Sequence, residues 1–458
     1  VVAIVLLAFV VGVARPRLAP HLILLFVVLF EQELYAGNTD GSVGFLVGLG
    51  QDLYYSRVLG NLPASAIICA LLILVGITAF RNQSGALLKS LCLILIVWIF
   101  GLSLYQGNSI ESSLTAIFRP AAIWAGVLIG SAVMPGNGDA LLRRTLYYAV
   151  AAKAAIGVFA FALGQGAPSE IGLTLAFYDS APLVIAGGTL VAAVAERELS
   201  GRARLVGAAG AVALAAVSLR RASLAGVVLL IVLIALVGRR LGVLVVAALL
   251  SAVAIGAFAI LDPRAVSAVF DSIAQASSGF TGGGQVDSST AGHLEDNVVG
   301  LELARQHPIM GVGVMAGPQD DFVVNQGNLL YVHNEFLFAW LHYGIVGLII
   351  LLAIVIVATI SSLRTFWRIR SGATSALFGA AVVVACLPGM WFFPHLLTLE
   401  RFSLLFGLCA GLAGSRRVTA DRPRVGPRKA IPQGDPKSVR WRRAGDPGRA
   451  VIVEAGVR

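Results

Sequence analysis

EFLFAWLHYGIVGLIILLAIVIVATI, residues 335–360, runs for 26 residues with one charged side chain, Glu335, at its first position. About 20 apolar residues carry an α-helix across the hydrocarbon core of a bilayer, so this run crosses one with length to spare. Backbone polar groups in lipid must be satisfied within the segment, and a helix does that. The rest of the chain repeats the pattern. It is 58% hydrophobic and 13% charged with a mean hydropathy of +0.87, which excludes a soluble domain of this length. Spans are read at 1–13, 21–34, 64–80, 86–105, 117–134, 145–164, 173–195, 203–219, 222–237, 241–261, 335–360, 374–393 and 397–414. The expected fold class is therefore an all-α polytopic membrane protein with about 12–13 transmembrane helices and one large extramembrane loop. The first run lacks a basic n-region and a cleavage site, so it reads as part of a helix rather than as a signal peptide.

Basic residues choose the orientation. With the C-terminal tail in the cytoplasm, Arg15, Arg17, Arg81, Lys89, Arg143, Arg144, Arg197, Arg202, Arg204, Arg239, Arg240, Arg364, Arg368 and Arg370 all fall in or beside inner loops. The longer outer loops carry only Arg57, Arg119, Arg220, Arg221, Arg264, Arg305 and Arg401. Four parts follow: N-terminal transmembrane helices over 1–261, a large periplasmic loop over 262–334, C-terminal transmembrane helices over 335–415, and a basic, disordered cytoplasmic tail over 416–458. The tail holds 12 basic and 4 acidic residues, hence +8 of the chain's net +10. It lacks a folded nucleic-acid reader or interleaved aromatics, so adhesion to anionic inner-leaflet lipids is its expected role and no nucleic-acid partner is expected. Cys69, Cys92, Cys386 and Cys409 lie inside apolar runs and read as small core residues, not as a disulfide or metal framework.

Arg220 and Arg221 occupy a two-residue gap between apolar runs, on the outward side of that topology. Arginines placed against the orientation bias need another reason, and an anionic substrate is the usual one. The large loop is organised around 279–284 (GFTGGG), a turn-prone stretch, and 293–306 (HLEDNVVGLELARQ), whose Leu294, Val298, Leu301 and Leu303 have helical spacing. His307-Pro308-Ile309-Met310-Gly311-Val312-Gly313 then ends the helix, its glycines allowing a tight backbone path. His333-Asn334-Glu335 opens the next span, and Gly344 and Gly347 would let another helix approach closely. A histidine at that mouth sits where a lipid-phase donor and an aqueous acceptor meet; equally, it caps the helix or is solvated there. Lys153 and Asp179 read as a structural pair across helices, with a relay as the lesser alternative. His307 reads as loop structure, and His395 with Glu400-Arg401 as interfacial anchors or a local ion pair, with a role at the rim of the site as the lesser alternative.

The run HPIMGVG at 307–313, followed by HNEFLFAWLHYGIVG at 333–347, resembles the signature of the bacterial O-antigen ligase and polymerase family. The family's histidine, ten residues and glycine are matched by His333 and Gly344; its arginine, three residues and leucine at an outward turn are matched by Arg220 and Leu224. The resemblance implies an inner-membrane enzyme acting at the periplasmic face on undecaprenyl-pyrophosphate-linked glycans. Two positions depart from it. Many relatives carry an arginine 18 residues before Gly311, where this chain has His293, and a glutamate two residues before Gly344, where it has His342. A protonated His293, or Arg305, is the available substitute for the missing cation.

The chemistry agrees with that resemblance. Pyrophosphate gathers negative charge as the glycosidic bond breaks, and a guanidinium fork can hold two of its oxygens. The acceptor hydroxyl must lose a proton, which suits a histidine near neutrality. The candidate catalytic residues are His333 as base and Arg220 as clamp; Arg221, His293 and Arg305 are candidate substrate contacts. No metal and no cofactor are expected, since the outer loops lack ligand spacing. Expected partners are the lipid-linked donor, a glycan or lipid A core acceptor, inner-membrane lipids, and a chain-length regulator or other polysaccharide assembly proteins. Polymerisation of repeat units into O-antigen or exopolysaccharide is the preferred activity and ligation to lipid A core or protein the alternative. A transporter or flippase would instead need polar groups lining a midplane path.

Overall fold

A computed structural model describes residues 10, 15–30, 57–59, 62–79, 85–133, 137–163, 165, 167–168, 174–175, 177, 181–195, 199–218, 226–233, 288–314, 325–326, 329–368, 375–391 and 393–415. The cytoplasmic-tail reading and Asp179 fall outside these residues. Helices account for nearly all of them: α1 Ala19–Leu29, α2 Ala64–Ala79, α3 Ala86–Tyr105, α4 Ile110–Ser131, α5 Asn137–Ala162, α6 Ala181–Ala195, α7 Gly201–Val217, α8 Ser288–Gln306, α9 Glu335–Arg368, α10 Ser375–Gly389, α11 His395–Thr398 and α12 Glu400–Gly414. Three antiparallel pairs of two- or three-residue strands are the extended structure among the described residues. Four helices, within α3, α4, α5 and α9, are long and apolar enough to cross a membrane unaided; α1, α2, α6 and α10 are shorter apolar helices. The protein is thus an all-α polytopic membrane protein.

Several helices begin away from where hydropathy alone puts them. The span read at 117–134 starts at Ile110, because Ser109 caps it by accepting a hydrogen bond from the Ser112 amide at 3.1 Å. The span read at 145–164 starts at Asn137, and that read at 397–414 divides into α11 and α12. Polar termini are invisible to a hydropathy window but are where caps form.

α4 and α12 pack backbone to backbone. Gly126 and Gly130 of α4 face Gly407 and Gly411 of α12. A Cβ on Gly130 would lie 2.2 Å from the Leu408 carbonyl oxygen, and one on Gly407 2.2 Å from that of Ile123. Both are Gly-x-x-x-Gly faces, the arrangement by which helices touch backbone to backbone in lipid, where packing replaces the hydrophobic drive. The contact seats α12 along the C-terminal half of α4 and brings Glu400, at the start of α12, beside Arg119.

The two ends of the bundle differ chemically. At one, Asp139 near the start of α5 accepts from the Ser375 amide of α10 at 2.9 Å and pairs with Arg143 at 3.2 Å. Thr365 near the end of α9 donates to the Ala413 carbonyl at the end of α12. The other end gathers the start of α9, the end of α10, α11 and the start of α12, which matches the alternation expected of successive spans. Lys153, 3% exposed in α5, rests its Nζ 4.0 Å from the centre of the Phe177 ring. All four cysteines are buried.

Candidate active site

α9 is broken once. Gly344 takes φ +68° and ψ −177°, a conformation open essentially to glycine, inside an otherwise helical run. The break detaches backbone groups that a continuous helix would pair internally, and each is recaptured from outside. Ile345 N donates to the Pro308 carbonyl at 2.9 Å, the Leu341 carbonyl accepts from Val312 N at 2.7 Å, and the Tyr343 carbonyl accepts from Trp98 Nε1 of α3 at 2.9 Å. The Pro308 carbonyl also accepts from Trp340 Nε1 at 3.1 Å. The 307–313 turn is therefore seated in the helix break. Gly311, at φ +70°, makes the fit possible from the other side, for its Cβ would stand 2.5 Å from the Leu341 oxygen. The expectation that Gly344 admits another helix needs correcting: what meets it is the Ile309–Met310 backbone of this turn. Gly347 does face α3, at the Trp98 ring.

His342 reinforces the seat. It is fully buried, with Nδ1 2.9 Å from the Gly313 carbonyl and Nε2 2.8 Å from that of Leu330. The neutral ring donates to one of these carbonyls, according to its tautomer, and packs against the other. Through this residue α9 holds both the 307–313 turn and the segment entering His333.

His333 lies just ahead of α9 and is 4% exposed, so the reading of a solvated interfacial histidine is replaced by a buried one. Nor does it cap the helix. Asn334 does, its Oδ1 accepting from the Phe336 and Leu337 amides at 3.0 and 2.9 Å. The His333 ring meets Tyr331 edge-on with centroids 5.0 Å apart and Phe393 at 6.1 Å. Its Nδ1 faces Asp296 Oδ2 of α8 at 3.4 Å, and its carbonyl accepts from Asn297 Nδ2 at 3.4 Å. Glu335, fully buried, accepts from the Leu396 and Leu397 amides at 2.7 and 3.0 Å. It thereby satisfies the first amides of α11 and ties that corner to the mouth of α9.

α8 buries only part of the apolar set its spacing suggests. Leu303 packs against the core with Val299, but Val298 is 67% exposed, whereas Asp296, Gly300 and Ala304, each four residues apart, are buried. Gly300 lets the helix press against Val332, beside His333; a Cβ there would fall 2.4 Å from Val332 Cγ1. Asp296 is the residue that sequence reasoning missed. A polar residue at heptad-like spacing with Gly300 and Ala304 was its signal, overshadowed by the valines and leucines.

The other candidates are placed unevenly. Arg220 and Arg221 lie outside the described residues. His293 belongs to the first half of α8, its backbone one turn before Asp296. Arg305 is exposed in the last turn of α8, roughly 14 Å along the axis from Asp296 at 1.5 Å per residue, toward the 307–313 turn rather than His333. Glu400 binds Arg119 of α4 at 3.1 Å, and Arg401 is buried, 1% exposed. His395, expected at the interface, is instead buried and stacked on Phe393 at 4.9 Å and 8°. His307 is exposed in its turn, as a loop residue should be.

A broken helix whose mouth presents a buried histidine beside an aspartate of α8 gathers titratable side chains at one end of the bundle of a polytopic membrane protein. Residues 203–352 match the family model described as O-antigen ligase. The match takes in Arg220, α8, the 307–313 turn, His333 and Gly344. No curated protein matches the chain.

Proposed function

We propose that the protein is an inner-membrane glycosyltransferase that elongates undecaprenyl-pyrophosphate-linked oligosaccharide repeats into O-antigen or exopolysaccharide at the periplasmic face. The observation that carries this reading is His333. Within the family-matched segment it is held by contacts from α8, from Tyr331 two residues before it and from the α10–α11 corner, which is more fixation than a surface histidine needs. In the reaction an acceptor hydroxyl oxygen attacks the anomeric carbon of the donor. Its proton passes to His333, and the bond from that carbon to pyrophosphate breaks, with the electron pair leaving on the phosphate oxygen. Arg220 holds that developing charge bidentately, with Arg221 beside it. His293 and Arg305 are the further substrate contacts, of which His293 stands nearer His333 along α8. No metal enters this scheme, because guanidinium groups perform the cation's task.

Ligation of a finished chain to lipid A core or protein is the second reading, favoured by the description of the matched family. Both use the same donor and leaving group and differ in the acceptor. The surface glycan of a deletion strain separates them. Single repeats on lipid A core establish the polymerase; long chains left on the lipid carrier establish the ligase; an unchanged profile overturns both.

A further inference from the structure

We infer that Asp296 is a positioning residue for His333, fixing its tautomer so that Nδ1 carries the proton and Nε2 faces the acceptor hydroxyl; this rests on His333 being the base. Three observations lead there. The first is the face that α8 buries. Beside Val299 and Leu303, which pack against the core, it buries an aspartate to 1% and so adds carboxylate desolvation. Such an orientation requires a partner for the carboxylate, and the His333 ring is one, at 3.4 Å.

The second is the small-residue row continuing from it. Gly300 and Ala304 follow Asp296 at four-residue intervals, and Gly300 admits Val332 into contact with α8. Larger side chains there would hold the helix away and carry the carboxylate out of reach of the ring. The third is the manner in which His333 is held. Asn297, the next residue of α8, donates to the His333 carbonyl, while Tyr331 and Phe393 abut the ring edge-on. Backbone, ring plane and Nδ1 are thus each constrained, two of them from α8.

A separation of 3.4 Å is longer than a formed N–H···O⁻ hydrogen bond. Catalytic contacts of this kind tighten when substrate is in place. The carboxylate acts through the imidazole. Accepting from Nδ1–H leaves Nε2 as the basic nitrogen, and its negative charge stabilises the imidazolium formed when the acceptor proton arrives. No net change occurs at Asp296 itself. The arrangement also distinguishes the two catalytic elements: the clamp arginine lies after α7, whereas the base is aligned by α8, so alignment can be lost without loss of donor binding.

The test uses the full chain purified in detergent or lipid nanodiscs, with lipid-pyrophosphate glycan extracted from the membranes of the deletion strain as donor. Asp296→Asn is expected to lower kcat by about 10- to 1000-fold, no more than His333→Ala does, with the donor KM unchanged. Asp296→Glu should recover part of that loss. Adding Asp296→Asn to His333→Ala should cost nothing further, since a residue acting through His333 has no effect once the ring is gone. Nitrogen NMR of the six histidines, with His333→Gln identifying the resonance, reads the tautomer independently of turnover. The Nδ1–H form is expected in the native chain and its dominance lost in Asp296→Asn. Wild-type turnover in Asp296→Asn beside an inactive His333→Ala overturns the inference and leaves the base in place. The Nε2–H tautomer in the native chain overturns it as well, as does a loss in Asp296→Asn matched by a collapse in melting temperature. Full turnover in His333→Ala overturns the base assignment itself.

Discussion

Replacing Gly344 by alanine tests whether the 307–313 turn is seated in the break of α9. The native φ of +68° with ψ −177° is a glycine conformation, and holding alanine there costs about 1–3 kcal/mol. The new Cβ would stand 1.8 Å from the Ile309 oxygen and 2.8 Å from Met310 N, where real side chains do not approach within 3.0 Å. Relief requires the turn to withdraw by more than an ångström. That stretches the hydrogen bonds from Ile345 N to Pro308 and from Val312 N to Leu341, now 2.9 and 2.7 Å. Strain, overlap and those two bonds together amount to roughly 3–9 kcal/mol, comparable with the whole stability of a folded domain. Gly107→Ala is the control, because φ is +80° there with nothing within 4 Å of its Cβ. It carries the conformational cost alone, about 1 kcal/mol. A thiol-reactive fluorophore suits the measurement, since all four cysteines are buried and become reactive only on unfolding. Gly344→Ala should yield little folded protein or melt lower by roughly 10 °C or more, and Gly107→Ala by a few degrees. Equal melting of the two variants would show that the turn does not occupy the break.

Arg220→Ala should remove transfer while membrane abundance stays normal, and Arg220→Lys should restore only part of it, because a point charge cannot reproduce a bidentate contact; loss confined to Arg221→Ala moves the role by one residue. His333→Ala and His333→Gln should both abolish turnover while the lipid-linked donor still binds, and native activity should survive EDTA; loss of activity in EDTA would require a metal in the scheme. Gly130→Val should prevent accumulation of folded protein, since a Cβ there already falls 2.2 Å from the Leu408 oxygen, and immunoblotting of membranes measures it. A cysteine at Gly283 should label from the periplasm and one at Gly372 only after the inner membrane is opened; the inverse pattern refutes the assigned orientation.

Much of the protein is legible without coordinates because lipid imposes a strong one-dimensional constraint. Apolar runs must be helices, so the span at 86–105 is found at its own boundaries and that at 335–360 is recovered within α9. The spacing from His333 to Gly344 and the glycines of 307–313 also stand out as a linked motif. That Gly344 admits this turn rather than a helix is not legible, for nothing in a linear pattern says which backbone a glycine admits. The Gly126/Gly130 and Gly407/Gly411 pairs lie 281 residues apart from first to first, and no local rule joins them.

The sequence by itself determined the membrane class, the helical form of the long spans among the described residues, and a histidine at the mouth of α9 beside a glycine motif. Tertiary structure decided what that histidine touches. α8 has two plausible faces, one bearing Val298 and one bearing Asp296, Val299, Gly300, Leu303 and Ala304. Hydropathy alone does not place a carboxylate inside. The second prevails because only small residues allow α8 to reach Val332 and His333, and because a carboxylate, once inside, must meet a hydrogen-bond donor. Apolar burial is a property that each residue contributes independently. A charge pair or a backbone-to-backbone contact exists only when two distant segments arrive together, and that depends on the packing of the whole bundle.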